Sequence, residues 1–465
     1  MKHLIRNLGL TFFGSLLCSM AYAQDLYTIL ELALENDPTL KQAEAQYRAN
    51  RENLSQSRSA LLPSFGAGGS TSRVTSGPAD DVFRTFPDPL TGAPTSVLVQ
   101  PRHSYGNGLN NHGWGVNLSQ SVLNLASWYT FQSAKASDRA AAVNLAAQEQ
   151  DLIMRVAMAY FDVLRAQELL ATNLQEEEAA LRSLEQTRQR EEVGLVAITD
   201  VFDSQAAYDL ARNTTILQRD LLRARFEALE AITGQPHGDI DELRADFPIL
   251  EVDGSLIDWE DQAEDNSLAI AAARYNLEAS RKNLRARKAD RLPTVDFLGQ
   301  YGHNVTAPII SQGIQIGGGA FDRTSLALSI NIPIYTGGAV SSRRRQAEQN
   351  LVAAQESLEL TRRQLTQNIR NAYRRVNTDV LVIAQRQQSI DSAQLALDAT
   401  ELGAEVGTRN IVEVLRAREN LFRALRQYAD ARFNYVLDTL LLKQVAGILT
   451  PDDIIALNEW LQSEG

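Results

Sequence analysis

Asp200 follows a Val-Gly turn at Val193-Gly194, and Arg409, Glu413 and Arg416 follow a second one at Val406-Gly407. Carboxylates in the first turn of a helix are favoured by the helix dipole. Glu413 and Arg416 stand three residues apart on one helical face, close enough to pair or to offset each other. Nothing in their spacing alone decides whether these groups are more than solvated. Catalysis would require a nucleophile, a base and an oxyanion site brought together, and no such set is nominated; Glu176-Glu177-Glu178 reads as a solvated run. The strings Gly66-Ala67-Gly68-Gly69 and Gly317-Gly318-Gly319 are not followed by Lys-Ser or Lys-Thr and open no helix, so they read as strand and loop glycines. His103, His112, His237 and His303 are isolated, without metal-ligand spacing. Neither an enzyme nor a metal or cofactor site is expected.

The elements that hold these residues come in two copies. Val193-Gly194-Leu195-Val196-Ala197-Ile198-Thr199-Asp200-Val201 returns 213 positions later as Val406-Gly407-Thr408-Arg409-Asn410-Ile411-Val412-Glu413-Val414, and the same offset lays Ala159-Tyr160 on Ala372-Tyr373 and Gly234 on Gly447. Earlier in each copy, Asn53-Leu54 and Leu62-Pro63 match Asn283-Leu284 and Leu292-Pro293 at an offset of 230. A fixed offset over such spans means duplication of a supersecondary unit. The extra residues of the first copy lie between Ser70 and Asn111, where Pro78, Pro87, Pro89, Pro94 and Pro101 predict a long surface loop.

Long intervals free of proline, between Pro101 and Pro236 and between Pro333 and Pro451, are rich in Ala, Leu, Gln, Glu and Arg and predict very long helices. Ile153, Val156, Tyr160, Val163, Leu170, Leu174, Leu181 and Leu184 follow three- and four-residue steps, the seam of a coiled coil. Gly194 and Gly407 end these helices in tight turns, and shorter helices follow over Val201 to Ile232 and Val414 to Val445. Each copy also predicts an amphipathic helix before its Leu-Pro, Leu26 to Ala60 and Leu268 to Asp290. Between Pro63 and Asn124, and between Pro293 and Tyr335, the period becomes two: Leu326, Leu328, Ile330 and Ile332 alternate with small or polar residues, as do Trp114, Val116, Leu118 and Val122. Strands near Phe65 and near Val295, Phe297 and Tyr301 complete four.

Residues 1–23 read as a secretory signal with Lys2 and Arg6, an apolar stretch and Ala21-Tyr22-Ala23. Its removal would take the only cysteine, Cys18, leaving a chain without disulfides. Beyond it, no apolar run reaches the roughly 18 residues a spanning helix needs. The formal charge of −12 argues against nucleic acid as a partner. Four alternating strands cannot close a membrane barrel, whose smallest members have about eight. Several chains must therefore share one, and a trimer would supply twelve strands.

Leu61-Leu62-Pro63, both Val-Gly motifs, Leu292-Pro293-Thr294, Ile332-Pro333-Ile334-Tyr335 with Gly337-Gly338, and Ala431-Arg432-Phe433-Asn434-Tyr435 together resemble the TolC family of outer-membrane efflux proteins over essentially the whole region after the signal. The resemblance implies a mainly α fold with a membrane β contribution: a long helical-hairpin tube in the periplasm and four strands of a twelve-stranded trimeric barrel in the outer membrane. It implies repeats over 24–235 and 261–447, a linker or equatorial segment over 236–260 and a C-terminal equatorial segment over 448–465. The partners implied are two further copies, outer-membrane lipid, a periplasmic adaptor and an inner-membrane pump of the RND or ABC type. The cargo implied is drugs or secreted proteins, released by an iris-like movement of the hairpins.

By the same resemblance, Val193, Gly194, Leu195, Val406, Gly407 and Thr408 form adaptor-docking tips. Thr199, Asp200 and Arg409 tie the closed entrance, and the acidic ring falls on Glu413 and position 416. This chain departs from the family pattern there, with Arg416 in place of a second Asp and Ala404 in place of a Tyr. An alternative reading, a periplasmic coiled-coil scaffold or adaptor, accounts for the helices but not for the four strands.

Overall fold

The computed structural model describes residues 25–74, 82–100, 109–311 and 314–462, so the signal segment over 1–23 lies outside the described residues. The chain divides into two units, one of residues 46–143 and 271–360, the other of residues 1–45, 144–270 and 361–465.

The first unit holds an antiparallel sheet in the order β1-β4-β6-β9, formed by Ser64–Val74, Leu109–Leu123, Thr294–Thr306 and Gly319–Asn331. Its register sorts the side chains by face, because alternate residues of a strand point to opposite sides. Phe65, Leu118, Gly299 and Leu326 form one cross-strand row, and Ala67, Val116, Tyr301 and Thr324 lie two positions along on the same face. The intervening row, Gly66, Asn117, Gln300 and Ser325, looks the other way. The apolar face is open: Phe65 is 74% and Leu326 72% exposed. Val122, expected in the apolar alternation, falls at a register shift between Ser121 and Leu123, which turns Leu123 toward Val295 instead.

The described residues of the proline-rich insertion form strands where the composition predicts a loop. β1 continues to Val74 and β4 begins at Leu109, while Val82–Pro87 (β2) and Pro94–Gln100 (β3) pair as a hairpin closed by Asp88 N–H to Ala93 O at 2.8 Å. Pro87 and Pro94 face each other at the strand ends, where a missing N–H is tolerated. A second small hairpin joins Ile309–Ser311 (β7) and Ile314–Ile316 (β8).

The helix expected over Leu26 to Ala60 is two helices, Leu26–Asn36 (α1) and Pro38–Ser59 (α2). Asp37 interrupts it: its carboxylate accepts from Leu40 N–H at 2.8 Å, and Pro38 sits at the first helical position, where its lack of an N–H costs nothing. The second copy repeats the division as Leu256–Asn266 (α5) and Leu268–Ala289 (α6), and α5 spans the expected domain boundary at 260/261. The long helices are Leu125–Glu192 (α3) and Ala339–Glu405 (α7), followed by Ile198–Thr233 (α4) and Ile411–Ala446 (α8).

In the second unit the core centres on Tyr160, Phe161 and Phe433, all but excluded from solvent, with Leu26, Ile29, Leu229, Ile369 and Leu442 around them. The seam of α3 holds at Ile153, Val156, Tyr160, Val163 and Leu184, but Leu174 is exposed and Asn173 takes the buried place. Asn173 is satisfied there by Arg426 of α8 at 3.1 Å and, through its carbonyl, by Thr215 at 3.3 Å. Segments beyond the two hairpins close this core: Glu242–Leu243 (β5) pairs with Leu461–Gln462 (β10), and Pro451–Asn458 (α9) buries Ile454. The glycines ending α4 and α8, Gly234 and Gly447, have φ of 77° and 76°, and a Cβ on Gly447 would meet Asn266 O at 2.5 Å.

The two copies differ in charge at one equivalent site. Arg225 of α4 lies 3.3 Å from Asp162 of α3, whereas at the positions 213 later the signs are exchanged, with Arg375 of α7 3.6 Å from Asp438 of α8. The second copy adds Asp379 where the first has Ala166. Burial first, and then the neighbouring Asp438 carboxylate, push the Asp379 carboxyl up to about 7. A carboxyl raised in the folded state binds its proton more tightly than in the unfolded chain, so stability falls as pH rises from the ordinary carboxylate range through 7. Asp379→Ala, which restores the residue of the first copy, is expected to raise the midpoint of thermal denaturation by a few degrees at about pH 8 and to change it little near pH 4. Equal effects at both pH values would show that Asp379 is not protonated in the folded protein.

Candidate functional site

The two Val-Gly turns lie in the second unit and share one construction. At the end of α3, Gly194 has φ 73°, its N–H bonds to Glu191 O and the Leu195 N–H bonds to Arg190 O, both at 2.8 Å. At the end of α7, Gly407 has φ 79°, its N–H bonds to Ala404 O at 3.2 Å and the Thr408 N–H bonds to Gly403 O at 2.8 Å. This pair of bonds is the Schellman arrangement, in which a left-handed residue lets two late carbonyls of the helix find donors. Only glycine enters that region without strain. Val193, Leu195 and Val406 project from the turns about 70% exposed, an unusual cost for apolar side chains at a polar helix end.

Beyond the turns the copies diverge. The α4 start has Ala197 as its cap residue without a side-chain bond, and Thr199 and Asp200 lie in its first turn. The α8 start is capped by Asn410, whose side chain accepts from Glu413 N–H at 2.9 Å, and Thr408 Oγ1 adds a bond to Gly403 O at 3.0 Å. Arg409, in the turn just before the cap, donates to Glu413 in the first turn of α8 at 2.5 Å. That hydrogen bond is the main reason the Glu413 carboxyl is held below its ordinary value, with the Arg416 charge a lesser one. Arg409 is therefore engaged by Glu413, and among the described residues no bond joins it to Thr199 or Asp200. Arg416 is exposed and makes no ion pair with Glu413. Ala404 packs with Leu397, Val414 and Leu421 in a small apolar cluster between α7 and α8.

Sequence reading missed a set of arginines that fasten the two hairpins to each other just behind the tips. Arg418 of α8 donates to Glu401 of α7 at 2.6 Å and to the Ala179 carbonyl of α3 at 3.0 Å. Arg426 likewise reaches across, donating to Asn173 and Glu176 of α3, whereas Arg386 of α7, donating to Gln427 of α8 at 2.5 Å, ties the second hairpin to itself. Arg418 and its neighbours line a groove of about 450 Å³ between α3, α7 and α8. A weak signal existed in the run of arginines along α8, but charge on a long helix usually marks a solvated face.

The sequence matches the family described as Outer membrane efflux protein over residues 29–235 and 259–447, two stretches that end beside the helix-capping Gly234 and Gly447. It is 33% identical to the outer membrane protein TolC of Vibrio cholerae over 452 residues, covering 96% of each chain, and 31% identical to TolC of Escherichia coli, covering 99% of this chain and 90% of that one. It is also 27% identical to the proteases secretion protein PrtF of Dickeya chrysanthemi, covering 98% and 95%. Among solved structures, CusC superposes with a TM-score of 0.74 at 16% identity, covering 91% of this chain and 92% of that one. The open state of the Neisseria gonorrhoeae MtrE channel superposes with 0.70 at 19%, covering 92% and 90%. The chain belongs to the outer membrane efflux protein family. It is a TolC-family channel of the outer membrane and not an enzyme.

A Cβ on Gly403 would stand 2.6 Å from Arg409 Cγ. The flexible arginine is the group that must yield, so Gly403→Ala is expected to swing Arg409 off Glu413 and return the Glu413 carboxyl toward its ordinary titration range. The carboxylate infrared band that Glu413→Gln removes reports this midpoint. An unchanged midpoint in Gly403→Ala would mean that Arg409 does not control Glu413.

Proposed function

We propose that three copies of this chain form a channel-tunnel in which the four-stranded sheets join into one twelve-stranded barrel and the helical hairpins form a conduit through the periplasm. The sheet carries this reading. Its apolar face suits hydrocarbon, yet β1 and β9 each have one edge without a partner among the described residues. Open edges are not tolerated in lipid, and closure by copies of the same chain removes them. The exposed apolar residues of α4 and α7, among them Phe202, Leu210, Leu217, Leu381, Leu395 and Leu402, support a helical seam between copies at the same time.

In this reading Val193, Gly194, Leu195, Val406, Gly407 and Thr408 meet the hairpins of a periplasmic adaptor, which links the channel to an RND- or ABC-type inner-membrane pump. Their exposure and tight backbone leave room for such an approach. Thr199, Asp200 and Arg409 hold the entrance shut, and the hairpins open it by an iris-like movement. Segments 236–260 and 448–465 form the equatorial collar, supported by the β5–β10 pairing and by Ile240, Leu449 and Ile454 in the core. Cargo is drugs or secreted proteins, the latter supported by the likeness to a protease secretion protein.

The assembly is tested by native mass and chemical cross-linking of outer-membrane extracts: a trimer is expected, and a monomer with no larger cross-linked species would overturn the proposal. At the entrance, Asp200 and Glu413 are offset by Arg409 and Arg416, so the mouth is near neutral in this reading. Arg416→Asp is expected to raise cation selectivity and sensitivity to block by trivalent cations in planar bilayers, because a constricted mouth focuses the field of carboxylates. An unmodified channel that already behaves like the variant would show that Arg416 points away from the passage.

A further inference from the structure

Positive charge is concentrated where the helices of the first unit meet the sheet. From Arg281 to Arg291, α6 and the turn after it carry six cations and one carboxylate, and Arg343-Arg344-Arg345 adds three at the start of α7, in a chain whose formal charge is −12. The two groups are neighbours, since Arg291 donates to Ser341 Oγ at 2.9 Å. Some of these cations are engaged: Arg287 lies 3.5 Å from Asp290, and Arg344 lies 3.6 Å from Glu348. Arg281, Arg285, Lys288, Arg343 and Arg345 are exposed and make no ion pair among the described residues. In α6 the first three fall at intervals of four and three, on one stripe.

The stripe borders residues that belong at a membrane surface. Leu292, Ile332, Ile334 and Tyr335 lie between the cations and the strands, with Ile334 93% and Tyr335 87% exposed, and Trp128 is half exposed at the start of α3. Exposed Trp and Tyr beside an apolar sheet mark the headgroup level of a bilayer. Lys288 is four residues from Leu292, and Arg281 is about 10 Å farther along the helix. That distance keeps the whole stripe within the headgroup layer or about one Debye length of it. Water alone would satisfy these side chains. It does not account for their crowding beside the apolar girdle while acidic residues prevail over the rest of the chain.

We infer that Arg281, Arg285, Lys288, Arg343 and Arg345 form a basic collar that binds the phosphate headgroups of anionic phospholipids in the periplasmic leaflet of the outer membrane. The collar fixes the depth and register of the sheet in the bilayer. Each cation near an anionic surface contributes a favourable term that salt weakens. The inference rests on the channel reading, because the collar meets the leaflet only if the sheet is inserted with its helices on the periplasmic side.

The test uses the detergent-purified channel reconstituted into phosphatidylcholine vesicles containing brominated phosphatidylglycerol or brominated phosphatidylcholine. Quenching of tryptophan fluorescence, dominated near the collar by Trp128, gives the relative association of the two lipids. A preference for the anionic lipid of about five-fold is expected at low salt, shrinking at high salt. It should vanish in Arg285→Gln/Lys288→Gln/Arg343→Gln/Arg345→Gln with trimer and conductance retained. Equal association of the two lipids with the unmodified conducting channel, or an undiminished preference in the variant, would overturn the collar while leaving the channel intact. A chain that neither inserts nor conducts would overturn both.

Discussion

Backbone groups on a strand edge have to be paired once water is excluded, and that requirement governs this molecule more than any side chain does. The sheet β1-β4-β6-β9 pairs every interior strand but leaves one side of β1 and one side of β9 without a partner among the described residues. In hydrocarbon each orphaned N–H or C=O costs several kcal/mol. The same sheet has an apolar face that hydrocarbon favours, so location and assembly are coupled in the proposed channel: the face draws the strands into the membrane and the edges call for further copies. Helices have no such demand, since their backbone bonds are internal. They are free to extend as far as their seams find partners.

Duplication supplies one frame and lets its copies diverge. Both long helices end in the same left-handed glycine turn, and both short helices end at a glycine in the same conformation. The side chains mounted on the frame are not the same. The ion pair between Asp162 and Arg225 is reversed in sign between Arg375 and Asp438, and the start of α8 has a side-chain cap and an ion pair that the start of α4 lacks. Equivalent backbone positions therefore carry unequal electrostatics.

Arginine dominates the fastening of α8 to α3 and α7. A guanidinium offers several donors in a fixed plane, so Arg418 can serve a carboxylate on one helix and a backbone carbonyl on another at once. Such contacts are directional and break as a set, unlike apolar packing, which tolerates sliding. Behind the tips the apolar cluster of Leu397, Val414 and Leu421 is small, and these polar bridges supply much of the register.

The periodicities of the sequence were enough to determine the duplication, the long helices, the glycine turns and the four strands, because each of these rests on local spacing or on the backbone freedom of glycine. The apolar alternation of Leu326, Leu328 and Ile330 could be read directly, and so could the stops at Gly194 and Gly407. Asp37-Pro38 is a local start signal for a helix, but tertiary structure supplied the Arg155 guanidinium that holds the Asp37 cap from over a hundred residues away, and it alone decided the ordering of the β2–β3 hairpin inside a proline-rich stretch. It also decided that Asn173 and not Leu174 faces inward, and that Glu413 is held by Arg409 and not by Arg416. Spacing along a helix states which residues share a face, but which neighbour a charged side chain chooses depends on rotamers and on groups brought from distant segments, and these exist only once the chain is packed.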